Sequence, residues 1–522
     1  MLNIHRLIYR SPDIAWEPIT RHLLSILRLP TAPQPIRIQA ARVLDEILLV
    51  IPRNITNTAE LQAAVQRRVL EVLAQQVIPD ANAATSVSNT TTGVELRKMG
   101  LETLHSILQA SGHTLVVGWE VVFKMLESVC RPAERSYGRG PRHSVSTETL
   151  GASTSPSIPP SLTSSPEKRT RPLPVGFGLG NPSEKGYSGL VKIAFQSLTL
   201  VCDSSVSTLS PAHLRLCIGT LAQFGKQADT NIALTAAASL LWSVSDAIQA
   251  KRKNVDEEPE YSEIWMFLLG EVLGLTEDGR AEVRDGAIQT LFRTMQLYGA
   301  TLSLETWDQC IWKIMFPVLE KLSAGMRMLA SGGTVVESQD VIQAWDDSKT
   351  LAFSSIGSLL GDFLVSKIML LDLFTKAWDT FVGQVEETIL VDNRCVSAPA
   401  LRCLDRGLKA ASLAEGGVLK VRVLDMLERV WKAIDTLGSS ATRRFDSRED
   451  LEASPHRPFT QESLVAFVDV AQSARRTGKA VENGKEWSLE RLARMMQILK
   501  GALFSCIECM KHRVFICLFQ VF

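Results

Sequence analysis

Apolar residues recur three and four positions apart along almost the whole chain, and the alternation of half-buried strands is hard to find. Ile36, Ala40, Val43, Ile47 and Ile51 trace one face of a helix, and Trp119, Val122, Phe123, Leu126 and Val129 trace another. Ser210-Pro211 offers a helix start. The Ser can cap the first turn, and a Pro next to it gives up only an N–H without an intrahelical partner. Leu214, Cys217, Ile218 and Leu221 form the stripe behind it. The same spacing predicts helices over roughly 229–250, 260–276, 281–298, 303–323, 340–361, 363–388, 397–413, 417–437, 459–476 and 487–510. One bundle cannot organise so many, whereas a stacked array gives each helix neighbours on both sides. The predicted fold is all-α, an armadillo/HEAT-like α-solenoid of stacked antiparallel helix pairs with a disordered insertion.

A local pattern supports stacking. Ile36-Arg37-x-x-Ala40-x-x-x-Leu44 recurs as Leu96-Arg97-x-x-Gly100-x-x-x-Leu104 and as Val283-Arg284-x-x-Ala287-x-x-x-Leu291. The aliphatic residue, the small residue and the Leu share a face, and the small residue admits a close neighbour helix. A cation at a helix start opposes the helix dipole, so an acidic partner is expected near each Arg. The matches do not follow a constant period of about 40–47 residues, and ordinary amphipathic helices would also produce so loose a pattern.

Composition divides the chain further. Residues 1–130 read as helical repeats, and 131–187 turn to Ser, Thr, Pro, Gly and Arg. Such a segment buries too little apolar surface to offset its ordering entropy and is expected to be a disordered linker. It carries eight Lys/Arg against four Glu. Ser155-Pro156 and Ser165-Pro166 suit proline-directed kinases, and phosphates there would offset that charge. A solvated spacer is the simpler reading. Residues 188–325 and 326–510 return to helical repeats, with shorter breaks at Asp80–Thr92 and Gly438–Pro458. Residues 511–522 form an atypical apolar tail.

Lys+Arg and Asp+Glu number 56 each, so bulk charge does not ask for nucleic acid. The nine cysteines stand singly in apolar stretches, as Cys202, Cys217 and Cys310 do, which suits buried free thiols better than a disulfide framework. The first residues lack an apolar core of secretory length, so the Asn54 and Asn89 glycosylation sequons weigh little. No stretch reaches the roughly 18 uncharged apolar residues of a membrane span. The closest, Ser355 to Phe374, contains Asp362, Lys367 and Asp372 and reads as a buried helix.

Signatures of chemistry are missing: no phosphate loop ending in Gly-Lys-Ser/Thr, no His-Glu-x-x-His, no Gly-x-Ser-x-Gly. His105 reads as an interfacial helix residue and His113 as part of a turn satisfying helix-end carbonyls. Cys506, Cys509 and His512 resemble half a metal site without its second pair. Asp346-Asp347 and Asp256-Glu257-Glu258 look like solvated helix starts. Trp242, Trp307 and Trp312 sit at core spacing, and Asn231 and Asp246 bracket a helix as caps. No catalytic, cofactor-binding or metal-binding residue is nominated, and no enzyme is expected. Partner binding is assigned to the turns Ser111–Trp119 and Gln227–Asn231, with His113, Trp119, Gln227, Asp229 and Asn231 as candidates.

Three blocks are more specific than periodicity requires. They are Leu101–Cys130, Leu200–Ala250 with its runs Asn231–Ala236 and Leu240–Asp246, and Arg280–Phe292 continuing through Tyr298-Gly299 and Trp307–Pro317. They resemble the region downstream of the exchange domain in large Arf-family guanine-nucleotide exchange factors, most closely the Mon-two family of Golgi and endosome scaffolds. The resemblance covers roughly residues 1–505 and stops near Leu503. It implies a peripheral protein on the cytoplasmic side of trans-Golgi network and endosome membranes, acting in vesicle-mediated, retrograde endosome-to-Golgi protein transport without catalysis. It also implies a Dopey-type scaffold protein, a phospholipid flippase and Arf-like GTPases as partners. The family's exchange-factor relatives carry a catalytic domain that this chain does not show. The family's N-terminal dimerisation and cyclophilin-binding-like region is likewise not represented. A helical-repeat scaffold of another class, such as a nuclear transport receptor binding Phe-Gly repeats, stays open. An enzyme would need a pocket of titratable groups around His105 and His113.

Overall fold

The structure is a computed structural model that describes residues 12–54, 59–79, 91–130, 182–252, 258–332, 338–391, 394–442, 460–481 and 488–505. Among these residues every regular element is helical. The first are α1 (Pro12–Arg28), α2 (Gln34–Asn54), α3 (Ala59–Val77), α4 (Thr91–Ser111), α5 (Trp119–Glu127), α6 (Pro182–Ser204) and α7 (Pro211–Gly225). Helix α8 runs over 230–252 as Thr230–Leu234, a π-helical turn Thr235–Leu240, and Leu241–Arg252. Next come α9 (Glu258–Leu275) and α10 (Ala281–Tyr298). Helix α11 spans 304–332 and contains a second π-helical turn, Ile311–Met315. The rest are α12 (Ser338–Phe363), α13 (Phe374–Val391), α14 (Arg394–Ala411), α15 (Gly417–Thr442), α16 (Gln461–Val481) and α17 (Leu489–Ser505).

Where connections are short, successive helices run antiparallel, and each helix packs on the one two places further along. Odd-numbered helices therefore stack as one row and even-numbered helices as the other. Between the rows lies one continuous apolar core, from Ala15 to Ile498. This is an armadillo/HEAT-like α-solenoid, as the periodicity predicts. The core passes through α11 at residues 325–326 without a break, and α6 begins at Pro182, ahead of the compositional boundary at 187. Residues 131–181, 506–522 and the candidate half-site at Cys506, Cys509 and His512 lie outside the described residues.

Four of the even-to-odd connections follow a local rule. Three-residue 3-10 turns at Gly112–Thr114, Val206–Thr208, Gly299–Thr301 and Ile368–Leu370 each lead into an extended leucine, Leu115, Leu209, Leu302 and Leu371. The hydroxyls of Thr114, Thr208 and Thr301 donate to the carbonyl three residues back, at 3.0, 2.8 and 2.8 Å. Ser210 and Ser303 then cap α7 and α11 with the same backbone angles, φ −68° and ψ 161°, accepting from the backbone N–H of His213 and Thr306. Each leucine carbonyl receives a side-chain donor: the Trp119 indole at 3.1 Å, Lys251, Lys367 at 2.9 Å and Arg422 at 3.0 Å. Leu209, Leu302 and Leu371 thus pin their turns to the pair that follows.

The three arginines of the recurrent pattern are buried at the starts of even-row helices. Each of them meets carbonyl oxygens, and for Arg37 a carbonyl stands where an acidic partner is expected. Arg37 Nε donates to Leu27 O at 2.9 Å, and Arg97 Nε to Val77 O at 2.8 Å and Nη2 to Ser128 O at 3.0 Å. The last carbonyls of a helix have no intrahelical donor, and a guanidinium satisfies them as a cation at the negative end of the dipole. The small residue acts as expected, since a Cβ on Gly100 would come within 2.7 Å of the Val77 side chain.

Five local expectations are corrected. The run from Ser355 to Phe374 is not one helix: α12 ends at Phe363, and a 3-10 turn at Ile368–Leu370 precedes α13. Asp346 lies buried inside α12 rather than at a solvated start, while Asp347 is exposed and accepts from Gln343 at 2.9 Å. Asp229, not Asn231, caps α8, accepting from the N–H groups of Asn231 and Ile232 at 3.0 and 3.3 Å. Asp246 sits in the middle of that helix and accepts from the Tyr298 hydroxyl at 2.8 Å. Finally, α8 is long and apolar enough to cross a membrane by length and composition, but half of its window is buried inside the array.

Candidate functional site

The two turns expected to bind partners lie on opposite edges of the array, because one is an even-to-odd connection and the other odd-to-even. On the first, His113 is exposed in its 3-10 turn, and Trp119 is buried with its indole donating to Leu115 O. Gly118 before it has φ +90°, and a Cβ there would meet Leu70 at 2.6 Å, so the turn closes on a residue without a side chain. On the second edge, Gln227 is buried and its amide donates to Gln223 O at 3.1 Å. Asp229 is spent on the α8 cap, and Asn231 is exposed. Arg280 forks onto the Asp278 carboxylate and donates through Nη1 to Gln227 O at 2.8 Å, joining this turn to the one before α10. Trp119, Gln227 and Asp229 therefore hold turns in shape; His113 and Asn231 face solvent.

His105 is half-buried, with Nδ1 3.2 Å from the Ser197 hydroxyl. His113 lies beyond the end of α4, the helix of His105, exposed in the 3-10 turn Gly112–Thr114. Among the described residues no group of three or more His, Cys, Asp or Glu side chains is placed to hold a metal ion. Cys202 and Cys217 are buried with their sulfurs 4.0 Å apart, and that contact together with burial pushes the Cys202 thiol well above its usual range. A thiol kept neutral in this way is a packing residue rather than a nucleophile.

Sequence reading passes over two groups of residues. The first is a buried polar cluster between α10, α11 and α12. The Arg284 guanidinium lies 4.1 Å over the Trp345 ring and donates to Ser348 Oγ at 2.8 Å, Asp278 O at 2.9 Å and Ala344 O at 2.9 Å. Lys349, also buried, donates to Ser323 Oγ at 2.6 Å. The sequence signal for the cluster was the Val283-Arg284 motif, but its partners sit some sixty residues away. The second is an apolar ridge on the even-to-odd edge. Leu413, Val418 and Val421 are 74, 73 and 59% exposed, and Leu370 and Leu373 stand beside them, joined through Arg422 and its bonds to Met369 O and Leu371 O. Exposed apolar groups that cluster so closely are unusual on a protein surface.

The family model described as the C-terminal region of Mon2 protein matches residues 253–424, which hold α9 to α14, the first turns of α15, the buried cluster and the ridge. The chain is 29% identical over 252 residues to a Protein MON2 homolog of Drosophila melanogaster, a match covering 43% of this chain and 15% of that one. To the human Protein MON2 homolog it is 22% identical over 450 residues, covering 79% and 22%. To that of Schizosaccharomyces pombe it is 25% identical over 327 residues, covering 58% and 17%. The matches thus span about a fifth or less of the length of these relatives. Among solved structures the chain is similar to importin beta, with a TM-score of 0.31 at 11% identity, over 98% of this chain and 58% of that one. It is also similar to a C-terminal fragment of the Chaetomium thermophilum cohesin loader SCC2, with a TM-score of 0.24 at 13% identity, over 98% and 36%. Those two likenesses carry no argument about function. The matched C-terminal region and relatives in insect, vertebrate and yeast make Mon2 proteins what the chain is similar to over much of its length.

Proposed function

We propose that the chain is part of a trafficking scaffold that works by binding other proteins on Golgi and endosome membranes. The observation that carries the reading is the similarity to Mon2 proteins over a two-row helical array. Such an array exposes long faces and two edges of turns to partners while its core lies between the rows. Retrograde endosome-to-Golgi transport, peripheral attachment to the trans-Golgi network, and a Dopey-type scaffold, a phospholipid flippase and Arf-like GTPases as partners extend the same proposal. The nuclear transport receptor is not favoured, because the curated relatives above are Mon2 proteins. The test is to tag the gene's full-length product and image it against trans-Golgi and endosome markers. Coincidence with those markers and co-purification of a Dopey-type protein are expected. A diffuse signal with intact Golgi markers would sink the reading.

A further inference from the structure

Helices α8, α10, α12 and α14 stand in succession along the even row and build a polar notch on its solvent side. Gln289, Arg293 and Gln296 of α10 face Ser354, Ser355 and Ser358 of α12 across a space of about 250 Å³. The Arg293 guanidinium lies 4.5 Å over the Trp242 ring of α8, which holds it in place without using its N–H donors. Arg406 arrives from α14 on the other side of α12. Its side chain runs over Gly357, where a Cβ would stand 3.1 Å from it, and its Nη1 donates to Ser354 O at 3.3 Å and Ser358 Oγ at 3.2 Å. Both arginines are exposed, and neither makes an ion pair among the described residues. Two carboxylates on these helices answer neutral donors: Asp362 accepts from Gln296 at 2.9 Å and Asp246 from Tyr298 at 2.8 Å.

Two cations held by packing and free of anionic partners make the donor set that a phosphate or carboxylate takes up, while the Ser355 and Ser358 hydroxyls beside them already donate to Leu351 O and Ser354 O at 2.8 and 3.2 Å. We propose that this notch binds an anionic side chain, phosphoserine or carboxylate, presented by an extended segment of a partner protein. Asp246, Asp347 and Asp362 are exposed on the same helices. An anionic bilayer laid on this face would meet their charge as well, whereas a single side chain reaches between them. The proposal deepens the scaffold reading and rests on it only in assuming a partner.

The test offers the immobilised full chain short degenerate peptides whose central residue is fixed as phosphoserine, Asp, Ser or Leu. Retention of the phosphoserine or Asp pool at least about tenfold above the Ser and Leu pools is expected, since charge-assisted hydrogen bonds are being gained. The paired substitution Arg293→Gln and Arg406→Gln should abolish that preference with an unchanged melting curve. Arg293→Lys with Arg406→Lys should keep part of it, and Lys432→Gln, on the odd row, should leave it intact. The phosphoserine and Asp pools distinguish the two sources of charge. Equal retention of all pools, or a preference that survives the paired Gln substitution, overturns the proposal. So does arginine-dependent binding to phosphatidylcholine vesicles containing phosphatidylserine without any peptide preference. Such results would leave Golgi localisation untouched, so a failure here and a failure of the scaffold reading are separable.

Discussion

The α2–α4 and α10–α12 regions begin with the same pattern and resolve a buried charge in opposite ways. In the first, Arg37 reaches back to a single carbonyl, Leu27 O, and ties its helix only to the one before. In the second, Arg284 reaches back to Asp278 O and forward to Ala344 O and Ser348 Oγ, with Trp345 stacked on its face. One motif thus makes a clip in one place and a rivet through neighbouring pairs in another. The first region also buries an unmatched carboxylate. Burial raises Asp45 from 3.8 to about 7, although the side chains of Thr103 and Gln76 pull it down and Glu102 adds a small upward push. A guanidinium surrounded by acceptors is stable in the interior; a carboxylate with few donors prefers its proton.

The comparison breaks most sharply at the arginines. Arg284→Met should cost about 3–5 kcal/mol, because it orphans several buried acceptors, whereas Arg37→Met should cost about 1 kcal/mol. Chemical denaturation of the two variants measures the gap, and equal losses would show that the forward bonds add nothing. Asp45→Asn tests the other charge through pH. The folded pKa lies above the unfolded one, so stability is fully present below about 3.8 and is lost as pH rises through about 7. The variant should therefore melt clearly higher than the parent at pH 8 and show no such gain near pH 4, as thermal scans at both values will show. Gly100→Ala should cost roughly 1–3 kcal/mol from the forced shift of Val77, detectable in the denaturation midpoint. Smallest is the paired cap test. Ser210→Ala and Ser303→Ala should each lose about 1 kcal/mol and by similar amounts, since their geometries coincide. Unequal losses in melting would separate the two turns.

The helical array was legible because its periodicity is local: the expected segments at 229–250, 281–298 and 417–437 correspond to α8, α10 and α15 within a few residues. The break between Phe363 and Phe374 was hidden. It is made by a 3-10 turn of apolar residues, Ile368–Leu370, with no proline to mark it. The repeated turn was in plain view as Thr208-Leu209-Ser210 and Thr301-Leu302-Ser303, but its meaning depends on the extended leucine and the cation that holds it. The polar notch could not be read at all. Trp242, Arg293, Ser358 and Arg406 come from four helices, and only the stacking of the even row makes them neighbours. Trp119 and Gln227 read as turn residues in the sequence, and the structure buries both.

The two π-helical turns, Thr235–Leu240 in α8 and Ile311–Met315 in α11, carry a consequence for how the gene tolerates length changes. Each holds one residue more per turn than the α-helix around it. Losing a codon elsewhere in either helix rotates everything downstream by about 100° and carries its apolar stripe away from the core. Losing one within a π turn can be absorbed by tightening that turn to α, so the downstream stripe keeps its heading. Single-codon deletions surviving in these helices should therefore gather at residues 235–240 and 311–315.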